Sequence, residues 1–130
     1  MKILVGYDGS NAAREAVRVA KVHAKAFGAS VEVVTSMLKG SEHEQEEIRQ
    51  AENGLAYTKS VFESDGTDCE THLLIRGLAP GEDLIQFAHE HTVDEIIIGV
   101  KRRSKVGKLM FGSTAQYVIL NAECPVVSVK

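Results

Sequence analysis

The chain predicts an α/β fold, a parallel, doubly wound sheet of five strands interleaved with four helices. Three observations lead there. Five short runs of β-branched and apolar residues alternate strictly with longer stretches of helical periodicity. Each intervening stretch is long enough for the right-handed crossover that joins parallel strands. Turn residues separate strand from helix at most junctions, as at Asp8-Gly9-Ser10 and Ser64-Asp-Gly-Thr-Asp68. With 130 residues the chain has the length of one domain, taken as 1–130, and enough of it to bury a continuous core. Sheets of this kind bind ligands at the carboxyl ends of their strands, where strand order reverses.

The first strand is Lys2-Ile-Leu-Val-Gly-Tyr-Asp8. Ser10 then serves as N-cap for a helix through about Phe27, because its hydroxyl can accept from a first-turn N–H. Ala13, Val17, Ala20, Ala24 and Phe27 give that helix one apolar face, and Gly28 supplies the C′ stop. Strand two is Ser30–Ser36. A second helix is expected from near Ser41 to about Ser64, with Ile48, Ala51, Leu55 and Phe62 inward. Its glutamates Glu42, Glu44, Glu46 and Glu47 suit the positive end of the helix dipole. Gly54 interrupts it at a cost of ~1 kcal/mol relative to alanine. Strand three, Cys69–Arg76, begins with polar residues that suit a sheet edge. Pro80 stands near the first turn of helix three, whose core positions are Leu84, Ile85, Phe87 and Ala88. Asp94–Ile98 is strand four, Ala115–Ala122 helix four, and Pro125–Val129 strand five, with Pro125 where a missing N–H is tolerated. Asp8, Ser36 and Gly99 thereby fall at carboxyl ends of strands.

Composition narrows the function classes. The chain is 44% hydrophobic and 25% charged, as in ordinary soluble proteins, and its net charge of −3 argues against a nucleic-acid partner. No apolar run approaches the ~20 residues that span a bilayer. The N-terminal run is too short for a signal-peptide core, so a cytoplasmic location is expected. Cys69 and Cys124 lack metal-type spacing and read as reduced, packed thiols. His89-Glu90-His91 places its histidines two apart, which on a helix points them in different directions. His23 and His72 read as structural.

Between strand four and helix four lies a stretch unlike the rest. Gly99 ends the strand, Lys101, Arg102, Arg103, Lys105 and Lys108 follow, and Gly112-Ser113-Thr114 opens the helix. Backbone N–H groups and a helix N-terminus in that order suit an anion, most often a phosphate. The cations either help to hold that phosphate or form a solvated basic loop; no aromatic residue lies among them to stack a base. Gly107-Lys108 lacks the hydroxyl residue of a Walker loop, and no Gly-x-Ser-x-Gly elbow occurs.

Taken together, these segments resemble the universal stress proteins over essentially the whole chain. The resemblance is carried by Ile3-Leu-Val-Gly-Tyr-Asp8-Gly-Ser10, by Gly77 with Pro80, and by Asp94-Glu-Ile-Ile-Ile-Gly99. It is carried most of all by Leu109-Met-Phe-Gly112-Ser113-Thr114 through Cys124-Pro125-Val-Val-Ser-Val129. It implies a Rossmann-like sheet in the order 3-2-1-4-5, a homodimer through strand five (Val126, Val127, Val129), and a role in stress tolerance. It also implies ATP or another adenine nucleotide as ligand, with Mg²⁺ as a companion. The family's motif, Gly-x2-Gly-x9-Gly-Ser/Thr, falls on Gly99, Arg102, Gly112 and Ser113, so arginine replaces the second glycine. Glycine there would let the backbone approach phosphate closely, and arginine disfavours this. Asp8 matches the aspartate beside ribose and phosphates, a position that can also hold Mg²⁺. Ser36 falls where the backbone meets adenine, and Thr114 adds an N–H at the helix start. The expectation is a nucleotide-binding sensor or switch with at most slow hydrolysis. The alternative is a dimeric interaction module that has lost ATP through Arg102.

Overall fold

The computed structural model describes residues 1–38, 43–100 and 112–130. Its elements run β1 (Lys2–Gly6), α1 (Asn11–Phe27), β2 (Ser30–Ser36), α2 (Glu44–Ser64), β3 (Cys69–Leu74), α3 (Pro80–Glu90), β4 (Glu95–Gly99), α4 (Ser113–Asn121) and β5 (Val126–Val129). The five strands form one sheet in the order β3-β2-β1-β4-β5, with every neighbouring pair parallel. Strand order reverses between β1 and its two neighbours, so a crevice opens above β1.

Alternation along the strands divides the core in two. Ile3, Val5, Val31, Val33 and Ile97 face one side, where they meet Ala13, Ala16, Val17, Ala20 and Ala24 of α1 and Leu55 and Phe62 of α2. Leu4, Val34, Ile96 and Ile98 face the other, against Leu84 and Phe87 of α3 and Ala115 and Val118 of α4. Apolar side chains on both faces are what a parallel sheet covered by helices requires. The alanine stripe of α1 lets that helix lie close on the sheet. On the opposite layer α3 and α4 touch at Gly81, where an added Cβ would sit 2.9 Å from the Cβ of Tyr117.

Local signals account for most of the boundaries. Ser10 Oγ accepts the N–H of Ala13 at 3.1 Å and caps α1, and Gly28 ends it at φ +62° in the left-handed region. Helix α2 runs unbroken through Gly54, for a packing reason. A Cβ there would lie 3.2 Å from the ring of Tyr7, so glycine makes room for the aromatic under the helix. The expected start of this helix near Ser41 lies outside the described residues. One core assignment fails: Phe27 is 55% exposed. It sits in the last turn of α1, where its ring meets the edge of the His23 ring. Ile48 and Ala51 are only half-buried, whereas Thr58 is fully buried and bonds the Leu55 carbonyl at 2.8 Å.

Three of the five histidines sit in structural pairs. His23 Nδ1 lies 2.7 Å from Glu95 across the α1–β4 contact, and His72 Nε2 lies 2.7 Å from Glu32 across β2 and β3. His91 stacks on Phe87 and bonds its carbonyl at 3.0 Å. Both cysteines are free thiols. Burial disfavours the thiolate of Cys69 and pushes its pKa from 9.0 up to about 11. The protonated thiol therefore suits the folded state fully below pH 9, and that advantage is lost as pH rises toward about 11. At pH 8 the Cys69 thiolate is roughly a hundredfold scarcer than in an exposed thiol, so alkylation by iodoacetamide should be at least ~100-fold slower. Mass-spectrometric labelling at the rate of a peptide thiol would contradict this.

Candidate functional site

The crevice above β1 is a cleft at the carboxyl ends of β1, β2 and β4. It brings together Asp8, Ser36, Gly99, Gly112, Ser113 and Thr114, the sequence-predicted positions within the described residues. Arg102 and its neighbouring cations lie outside those residues. The cleft also has an apolar lining that the sequence reading did not assign, from Val34, Pro80, Leu84 and Ile98. Leu84 and Ile98 meet over Gly6, where a Cβ would sit 3.0 Å from Leu84 Cδ1 and 3.6 Å from Ile98 Cγ2. An apolar wall with a few polar groups is the usual make-up of a small-molecule site.

Three helix N-termini reach this cleft; that of α3 begins with Pro80, which has no N–H to donate, and those of α1 and α4 differ. At α1 the Ser10 hydroxyl occupies a first-turn donor, and the Ser10 N–H itself bonds Asp8 Oδ1 at 3.0 Å. At α4 the N-cap is Gly112, which has no side chain to offer, and no acidic residue stands in the first turn. Among the described residues, the first N–H groups of α4 thus keep their donor capacity on the side where Gly112, Ser113 and Thr114 line the cleft. That arrangement favours an anion.

The two motif glycines have different jobs. At Gly99 an added Cβ would fall 2.5 Å from the backbone carbon and 2.7 Å from the carbonyl oxygen of Ala12. Glycine is needed here so that β4 can end directly beneath the first turn of α1. At Gly112 an added Cβ would meet nothing within 4 Å among the described residues, and the backbone (φ −63°, ψ 159°) suits any residue. The fold does not demand glycine at 112. The open space beside it belongs to the cleft.

Under the apolar wall runs a polar network that sequence reasoning missed. Asp83, in the first turn of α3, has 0% exposure and is the only charged side chain so enclosed among the described residues. Its Oδ2 accepts the Ser36 hydroxyl at 2.7 Å, and its Oδ1 accepts Arg76 Nε at 2.7 Å. Arg76 also reaches the Asp83 carbonyl at 3.4 Å and Glu90 at 3.0 Å. Burial opposes the charge on Arg76, but its hydrogen bonds to Asp83 and Glu90 outweigh it and raise its pKa above the ordinary value. The available signal was Arg76 and Asp83 flanking the Gly77–Pro80 turn, close enough in sequence to pair.

Metal-type clustering does not centre on Asp8. Among the described residues, the group of three potential ligands within 4.8 Å of one another is Glu32, Glu70 and His72, in the β2–β3 pair. That group does not include Asp8.

Known proteins share this architecture. A family model described as "Universal stress protein family" matches residues 1–130. A universal stress protein of Thermus aquaticus is 34% identical over 134 residues, which cover 98% of this chain and 97% of that protein. A solved universal stress protein from Archaeoglobus fulgidus superposes with a TM-score of 0.88 at 37% identity, over 100% of this chain and 93% of the other. A second structure from that organism, in complex with dAMP, gives 0.85 at 35% identity, covering 100% and 98%. Sheet order, cleft and sequence thus agree in placing the chain in the universal stress protein family.

Proposed function

We propose that the cleft binds an adenine nucleotide and that the protein acts as a nucleotide-responsive sensor or switch in the cytoplasm, as a single domain over residues 1–130. The observation that carries the reading is the uncapped N-terminus of α4 opening into the same cleft as Asp8 and an apolar wall. The donors Gly112, Ser113 and Thr114 suit the phosphates, and Val34, Leu84 and Ile98 suit the flat face of a base. Asp8 suits the ribose or a phosphate-bound Mg²⁺. The dAMP complex of the Archaeoglobus fulgidus relative supports the same ligand class. ATP is the form we favour, with Arg102 and the neighbouring cations supplying charge to its outer phosphates. Turnover, where present, is expected to be slow.

A homodimer accompanies this reading. Strand β5 is an edge strand with Val126, Val127 and Val129 half-buried. Ile119 and Leu120 on α4 are 43% and 74% exposed. An open edge beside exposed aliphatics suits pairing with a second copy.

Calorimetry with Mg-ATP and with AMP tests the ligand. Gly112→Val is expected to leave the unfolding midpoint nearly unchanged, since its side chain enters open space, while weakening nucleotide at least tenfold. No heat with either nucleotide at millimolar concentration would overturn the reading. A Gly112→Val protein that bound normally would remove the α4 terminus from it.

A further inference from the structure

Ser36 lines the cleft, yet its hydroxyl proton is already committed. A serine hydroxyl has one proton and two lone pairs, and an ionised carboxylate can only accept. With Ser36 Oγ 2.7 Å from Asp83 Oδ2, the proton must point at the aspartate. Asp83 cannot turn away, because Arg76 Nε holds its other oxygen at 2.7 Å and no water reaches a side chain of 0% exposure. Nor can Arg76 reverse the polarity, since a guanidinium has donors only. Glu90 steadies the guanidinium from its far side at 3.0 Å. The chain Glu90–Arg76–Asp83–Ser36 therefore has one direction. It presents to the cleft an oxygen that accepts and does not donate.

We propose that Ser36 makes the cleft selective for a base carrying an exocyclic amino group, and that Asp83 and Arg76 are positioning residues for it. The inference rests on the nucleotide reading above and adds the atom that distinguishes one purine from another. An amino group at the purine 6-position donates to the Ser36 oxygen. A carbonyl at the same position sets two acceptors against each other, with no proton between them. Sites built around a polar partner reject the analogue that leaves that partner unpaired more strongly than apolar pockets do. Val34 and Leu84, in the same wall, fit the ring face of either base and give no such discrimination.

The test compares ATP with inosine triphosphate, which has the same ribose and phosphates but a 6-oxo group. Competition binding is run at one salt and Mg²⁺ concentration. The unaltered protein is expected to favour ATP by tenfold or more. Ser36→Ala removes the oxygen and should bring the ratio to within about threefold. Asp83→Asn tests the direction of the network. Arg76 will take the amide oxygen, leaving the amide NH₂ to donate to Ser36, whose proton is then released toward the cleft. The preference should move further toward the 6-oxo base than in Ser36→Ala, an outcome that mere loss of packing would not produce. Circular dichroism checks that each variant folds; if Asp83→Asn does not, Ser36→Ala alone decides. Equal binding of the two nucleotides by the unaltered protein, or an unchanged ratio in Ser36→Ala, overturns the inference and leaves the nucleotide site standing. Binding of neither nucleotide overturns both.

Discussion

Gly99→Ala is expected to destabilise the fold by about 3 kcal/mol, the upper end of what overpacking costs. The new methyl would lie 2.5 Å from one backbone atom and 2.7 Å from another, both in Ala12. Neither can swing aside as a side-chain tip would. Relief requires either the end of β4 or the whole first turn of α1 to shift. Moving α1 carries Ser10 and the Asp8 turn with it, so the cleft should lose ligand affinity as well. Urea denaturation reads the first effect as a midpoint lowered by ~2 M. A midpoint unchanged by the substitution would mean that α1 is free to ride up on the sheet. Gly112 lacks any such contact among the described residues, and the two glycines of one motif should separate cleanly, one affecting stability and the other binding.

The second large effect is expected from Arg76→Ala. Removing one member of a buried ion pair costs ~3–5 kcal/mol, because the other is left as an uncompensated charge. The Arg76 side chain is 31% exposed and partly screened by water, which points to the lower end of that range. Asp83, at 0% exposure, has no such relief. A loss of ~3 kcal/mol corresponds to a fall in melting temperature on the order of 10 °C for a chain of this size. The double variant Arg76→Ala with Asp83→Ala should melt above the single one, since it no longer buries a lone carboxylate. A single variant that melts within about 2 °C of the parent would show that solvent reaches Asp83 and replaces the pairing.

The sheet was legible in the sequence because each strand is a contiguous apolar run and each helix a periodic one, so the signal is local. Even the edge position of β3 showed, in the polar residues at its start. Phe27 misled because its spacing continues the apolar face of α1. Periodicity assigns a face but cannot say where the sheet beneath it stops. Ser36 was placed in the site through its backbone alone, and its side chain was given no part. Its importance depends on Asp83, which is 47 residues away, and no periodic pattern connects the two. Asp83 itself reads in sequence as an acid favoured by the α3 dipole, a sufficient local reason that hides the distant one. Gly99 reads in sequence as a strand end and the first glycine of a phosphate motif, whereas its nearest neighbour is Ala12. The alanine-rich face of α1 was the available hint that this helix packs close.

The walls of the cleft also have a history in time. They are built from the segment around Gly6 to Ala13, from Val34 and Ser36, and from Gly112 to Ala115. Strand β1, made before the other strands of the sheet, is central and pairs on one side with β4, as in Ile3 with Glu95. During synthesis from the N-terminus, β1 must wait for β4 before its second edge is covered, and the wall from Gly112 to Ala115 emerges later still. Such long-range closure is slow relative to local helix formation. A chain interrupted before α4 can assemble β1 to β3 but lacks the N–H groups of Gly112, Ser113 and Thr114 that line the cleft. The proposed nucleotide binding is therefore a property that the chain can acquire only after α4 has emerged.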